Sequence, residues 1–220
     1  MKFINLSEKP TLLNQFVTEL RDKNIQGDRM RFRRNLERIG EVMAYEISKT
    51  LSYSTKEVCT PLGTALSNTP DDEVVVATVF RAGLPLHTGF LNYFDHAGNA
   101  FVSAYRYYKD KDCRIVDVHI EYIATPDLTG KTLMLVDPML ATGESMELAL
   151  KAFCTKGHPA HIHLASVIAS QSGVDHLAQA YADRDDVTLW CAAVDAELND
   201  HSYIVPGLGD AGDLAFGKKL

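Results

Sequence analysis

From Glu73 onward the chain alternates short apolar runs with helical segments, and this alternation restricts the fold more than any other feature. "EVVVATVF" (Glu73 to Phe80), "AFVSAYR", "KTLMLVD", "HIHLASVIA" and "VTLWCAAVD" are strand-like, while "LPLHTGFLNYF", "SMELALKAFCTK" and "GVDHLAQAYA" between them are helical. Strands that are apolar throughout are covered on both faces, and strands joined through helices pair in parallel. The expected fold is therefore α/β, with a mainly parallel central sheet flanked by helices and a core over about residues 70–195. Before it, Phe32, Leu36, Ile39, Met43 and Ile47 recur at spacings of three and four, the stripe of an amphipathic helix, within a helical arm over about residues 1–50. Arg31, Arg34 and Arg38 lie off that stripe and are expected on a solvated basic face rather than in an effector site. "LSYSTKEVCTPLGTALSNTPDD" has weak periodicity and reads as a loop or short arm.

A chain of 220 residues with 46% hydrophobic content can bury such a sheet as a single domain. The net charge of −7 provides no general basic field for nucleic acid or an anionic membrane, so neither is an expected partner. The N-terminal segment lacks the apolar core of a secretory signal, and no window approaches a membrane span, which predicts a cytoplasmic protein. Cys59, Cys113, Cys154 and Cys191 form no C-x-x-C pair and read as reduced, mostly buried thiols. His158, His161 and His163 raise a metal site as an alternative. Only the last two would share a strand face, and no cysteine or acid lies nearby at ligand spacing, so a helix-to-strand junction is expected.

Polar residues stand where the strands stop. Arg81 follows the first run, Arg106 ends the second, Asp137 the third and Asp195 the fifth. In a parallel sheet all four share the carboxyl edge, where open α/β sheets bind ligands. The third strand leads into "VDPMLATGES", in which Thr142 and Gly143 form a short loop and Ser145 opens a helix. Backbone N–H groups and the helix dipole converge there on a phosphate, and small residues allow close approach. The Walker lysine is missing, so a triphosphate cradle is not supported. Asp137 would repel phosphate but can accept hydrogen bonds from ribose hydroxyls, so the pattern points to a sugar phosphate.

Near the C-terminus, "PGLGDAGD" places Gly207, Gly209 and Gly212 at G-x-G-x-x-G spacing. Only "LAFGKKL" follows, too little for the helix, second strand and ribose-binding acid about 20 residues on that a dinucleotide site needs.

With these residues in view, the chain resembles the type I phosphoribosyltransferase family, in its uracil phosphoribosyltransferase branch. "VDPMLATGES" is similar to that branch's diphosphate-sugar loop and "YIVPGLGDAGDLAFG" to its uracil loop, with "FRAG", "YR" and "AYEISKTL" in matching order. The resemblance implies that uracil and 5-phosphoribosyl diphosphate give uridine monophosphate and pyrophosphate. It implies a diphosphate-sugar site made of Arg81, Arg106, Asp137, Pro138, Met139, Leu140, Ala141, Thr142, Gly143, Glu144, Ser145 and Asp210. The base would be read mainly through the backbone of Ile204, Gly209 and Ala211, beside Asp210, in a small hood formed by residues 196–220. Asp137, Arg106 and Asp210 would carry the catalytic roles. Magnesium would arrive with the diphosphate sugar without an assigned protein ligand, GTP activates some relatives, and a homodimer or larger assembly is usual. An RNA-binding regulator on the same scaffold, or an enzyme for another base, are the competing readings. Two departures stand out: Glu144 replaces a glycine in the phosphate loop and is expected to point away, and the segment after Arg106 is not the acidic, proline-containing one of the family.

Overall fold

The computed structural model describes residues 1–108 and 116–219, with side chains over 1–103 and 121–219. In chain order the elements are β1 (Lys2–Asn5), α1 (Leu12–Arg21), α2 (Arg29–Ser48), β2 (Tyr53–Thr60), β3 (Gly63–Pro70), β4 (Val74–Phe80) and α3 (Leu84–Leu91). There follow β5 (Gly98–Tyr108), β6 (Val116–Ala124), β7 (Thr132–Leu140), α4 (Glu144–Cys154), β8 (His161–Ser170), α5 (Gln171–Ala180) and β9 (Val187–Asp195). The chain closes with β10 (Glu197–Leu198), β11 (Ile204–Val205) and α6 (Ala211–Phe216).

Seven strands form one sheet in the order β1-β9-β8-β7-β4-β5-β6, parallel throughout except for the antiparallel pair β5 and β6. All five expected strands are present at its centre. The two unexpected ones are edge strands: "KFIN" is too short to show a pattern, and "VDVHIEYIA" mixes charge with apolar residues because only one side of it is paired.

Alternate residues of β4 enter two separate apolar layers. Val76 packs with α1, α2, α3 and the C-terminal segment, whereas Val75, Ala77 and Val79 pack with α4 and α5. The anticipated stripe of α2, from Phe32 to Ile47, is buried in the first layer. Glu19 of α1 ties the arm together, accepting from Arg31 Nε at 2.9 Å and from Asn35 Nδ2 at 2.8 Å. Arg34 pairs with Glu37 and Glu41, and Arg38 donates to Asn35 and lies over the Phe16 ring.

The expected loop after α2 is instead a regular antiparallel hairpin, β2 with β3. Its sequence hides this because almost every residue of both strands is exposed, Leu62 at its turn completely so. There is no buried face to impose a period of two. The hairpin also corrects the thiol reading: Cys59 is exposed, Cys154 is half-buried, and only Cys191 is fully buried, with Cys113 outside the described residues. No described helix is long and apolar enough to cross a membrane.

Candidate active site

β7 carries the chain past Asp137 to Leu140, and Asp137 accepts from the Met139 N–H at 3.2 Å. The loop then turns at Gly143, which has φ +88° and serves as the N-cap of α4. A Cβ here would stand 2.8 Å from the His176 ring and 3.1 Å from the Gly173 carbonyl, so both backbone sign and space demand glycine. α4 opens at Glu144, one residue before the expected Ser145. Glu144 is exposed, with its carboxylate 3.4 Å from the Thr142 hydroxyl. Behind the loop, His176 Nε2 lies 2.7 Å from Glu147, and Lys151 together with His176 holds the Glu147 carboxyl below the usual carboxylate range.

The second wall comes from the C-terminus. β10 and β11 make a small two-stranded ribbon, after which Pro206–Asp210 lead into α6, with Asp210 capping that helix by accepting from the Asp213 N–H at 2.9 Å. Gly209 has φ +94° and faces open space, its nearest neighbour being a Leu214 methyl. This loop is held from behind. Asp195 receives both terminal nitrogens of Arg21 at 2.7 and 2.8 Å and the Gly207 N–H at 3.0 Å, while Arg21 also donates to the Gly207 carbonyl. Gln26 holds the Leu208 carbonyl and Arg33 the Ala215 carbonyl. The expectation that Asp195 presents itself to a ligand at the sheet edge is thus corrected: its carboxylate is buried and consumed by Arg21 and the loop.

Between the two walls lies a cleft of about 690 Å³. Of the sequence-predicted residues, Asp137, Met139, Leu140, Ala141, Gly143 and Ser145 line it from β7 and the start of α4, Arg81 from the end of β4, and Gly209, Asp210 and Ala211 from the C-terminal segment. Arg81, just past the end of β4, donates to Asp213 at 3.0 Å and to the Gly217 carbonyl at 2.7 Å, and so is tied to the C-terminal wall. Pro138, Thr142, Glu144 and Ile204 are not in the lining; Ile204 is buried beneath the base loop, paired with Leu198. Arg106 pairs with Val118 along β5, and its side chain lies outside the described residues. Sequence reasoning did not place Met146, Tyr203 or Lys219 in the lining, and missed Arg21, Gln26 and Arg33 as loop supports. Nothing in their spacing marks them, since the supports act across 182 to 186 residues.

His161 and His163 line one small pocket with Asp72 and Trp190. His163 is buried, its Nδ1 3.2 Å from the Trp190 indole nitrogen, and burial, with His161 nearby, pushes its pKa down to about 4. Among the described residues no group of three or more His, Cys, Asp or Glu could hold a metal ion. The cleft presents the N-terminal end of α4 on one side and the main chain of Gly209 to Ala211 on the other.

A family model described as uracil phosphoribosyltransferase matches residues 7–218. A uracil phosphoribosyltransferase of Porphyromonas gingivalis is 60% identical over 220 residues, covering all of both chains. Among solved structures, the AQ2163 protein from Aquifex aeolicus superposes with a TM-score of 0.84 at 29% identity over 98% of each chain. The orotate phosphoribosyltransferase of Mycobacterium tuberculosis, in complex with 5-phospho-α-D-ribosyl 1-diphosphate, gives 0.52 at 14% identity, covering 87% of this chain and 94% of its own.

Proposed function

The chain belongs to the uracil phosphoribosyltransferase family, and on that premise we propose that its cleft is where 5-phosphoribosyl diphosphate and uracil meet. The protein is a pentosyltransferase of pyrimidine salvage. The observation that supports the site assignment is the facing of two loops across one cleft, a helix-N-terminal phosphate loop on one side and a glycine-rich main-chain surface on the other.

In this reading the N–H groups around Gly143 and the hydroxyl of Ser145 hold phosphate oxygens, and Asp137 accepts from the ribose hydroxyls. Uracil N1 bonds to the anomeric carbon as the bond from that carbon to the pyrophosphate oxygen breaks, and the N1 proton is released. Positive charge grows on the sugar and negative charge on the leaving group. Arg81 and Arg106 oppose the latter, and Asp210 stands on the sugar side of the base. The main chain of Gly209 and Ala211 orients the base for in-line attack. Cytosine would be rejected because its exchanged donor and acceptor would leave a buried amide unpaired.

Magnesium favours phosphate oxygens with one or two carboxylates over an all-protein cage. The donor set here fits that habit, with Asp137 and Asp210 both lining the cleft. When bound it would neutralise charge on the diphosphate. Arg31, Arg34 and Arg38 of α2 are turned onto Glu19, Glu37, Glu41 and Asn35, which favours a self-paired surface over a GTP site. A homo-oligomer accounts for the exposed hairpin, since two strands alone are marginally stable in water.

Conversion of radiolabelled uracil to uridine monophosphate with 5-phosphoribosyl diphosphate and magnesium, with and without GTP, is the direct test. Turnover of hypoxanthine but not uracil would overturn the assignment of the base.

A further inference from the structure

The back of the phosphate loop is gripped by one hydroxyl. Ser170, the last residue of β8, is fully buried and donates from Oγ to the Ala141 carbonyl at 2.6 Å. The same Oγ accepts from the Gly173 N–H at 2.9 Å, which makes Ser170 the N-cap of α5. A serine hydroxyl has a single proton. Since it goes to Ala141, the contact at 2.9 Å with Ser172 is one in which Ser172 donates. The packing around this contact is tight: a Cβ at Gly173 would fall 2.4 Å from the Ala141 carbonyl oxygen.

The peptide joining Ala141 to Thr142 is trans, so its C=O and N–H point in opposite directions. Pulling the carbonyl toward α5 turns the Thr142 N–H away from α5, in a loop where the flanking Ala141 and Gly143 line the cleft although Thr142 itself is not in the lining. With the peptide reversed, a carbonyl oxygen would meet the ligand's phosphate and repel it. We propose that Ser170 is a positioning residue for the transfer reaction, fixing the Ala141–Thr142 peptide so that its N–H, and not its carbonyl, faces the phosphoryl oxygens of the diphosphate sugar. Ser170 touches no substrate and acts only through the loop. The inference rests on the phosphate-loop reading given above.

Three variants test it. Ser170→Ala removes both the cap and the donor, Ser170→Gly removes the donor but keeps a good N-cap residue, and Ser170→Thr restores the hydroxyl. Steady-state constants are measured for both substrates, and ribose 5-phosphate binding by calorimetry, with each variant held well below its own melting temperature. One hydrogen bond to a charged group corresponds to about tenfold or more in affinity. Ser170→Ala and Ser170→Gly should raise KM for 5-phosphoribosyl diphosphate and weaken ribose 5-phosphate by that factor with KM for uracil little changed, and Ser170→Thr should recover most of it. A normal Ser170→Gly enzyme, or equal losses for both substrates, would reduce Ser170 to a helix cap and overturn the proposal. Gly143→Ala is the control for its premise. If that change leaves the diphosphate-sugar KM untouched, the phosphate-loop assignment fails; if it raises KM while the Ser170 variants do not, only the role of Ser170 fails.

Discussion

Ser170 and Asp195 stand opposite one another in register at the carboxyl ends of β8 and β9. One holds the Ala141 carbonyl of the phosphate loop, and the other holds the Gly207 N–H of the base loop. The two walls of the cleft are therefore anchored to neighbouring residues of adjacent paired strands. Their separation is set by the pairing of β8 with β9, and a site for a reaction that depends on positioning is better built on paired strands than on loops.

Asp195→Asn keeps the size of the side chain but cannot receive both nitrogens of Arg21, so the Gly207 turn loosens. KM for uracil should rise severalfold while KM for 5-phosphoribosyl diphosphate stays within about twofold. The loss of stability should be about 2 kcal/mol, because Arg21 is partly solvated and can regain water. Steady-state kinetics with a urea melt measure both. An equal rise in both KM values would place Asp195 among general structural residues.

Asp137→Asn should lower kcat/KM by about a hundredfold or more, since the acceptor for the ribose is weakened where charge develops. Its circular dichroism spectrum should match the wild type. Unaltered turnover would show that the ribose is held elsewhere.

Gly209→Val tests the base loop by backbone rather than by bulk. There is room for a side chain, but φ +94° is a region that a β-branched residue avoids at a cost of roughly 1–3 kcal/mol. The loop should shift, with uracil binding lost and pyrophosphate binding kept in calorimetry. Normal uracil KM would remove Gly209 from the base site.

Acid should act on the arm through Glu19, whose pKa is pulled down to about 2 chiefly by the Arg31 hydrogen bond, then by Asn35 and Gln15. A carboxylate depressed in the folded state stabilises above its ordinary pKa of 4.5, and that contribution is lost as pH falls from there toward 2. Glu19→Gln should cost on the order of 2 kcal/mol at neutral pH, allowing for the half-exposed Arg31. The gap in melting temperature between it and the wild type should close as pH falls through that window. A constant gap would mean that Glu19 acts by shape alone.

The sequence by itself determined what local pattern can carry. Continuous apolar runs announce the central strands because burial on both faces leaves polar residues no place, and the 3.6-residue stripe from Phe32 to Ile47 announces α2 for the same reason. The run from Asp137 to Ser145 and the glycines from Gly207 to Gly212 announce two turns, and residues of both line the cleft. The hairpin from Tyr53 to Pro70 escaped because, exposed on both faces, it carries no burial signal. Only the tertiary structure decided which strand-end charges face the cleft: Arg81 and Asp137 line it, while Asp195 turns back to Arg21, 174 residues away in the chain. A charge at a strand end is free to point either way, and its direction is fixed by the partner that folding brings beside it, which no spacing along the chain records.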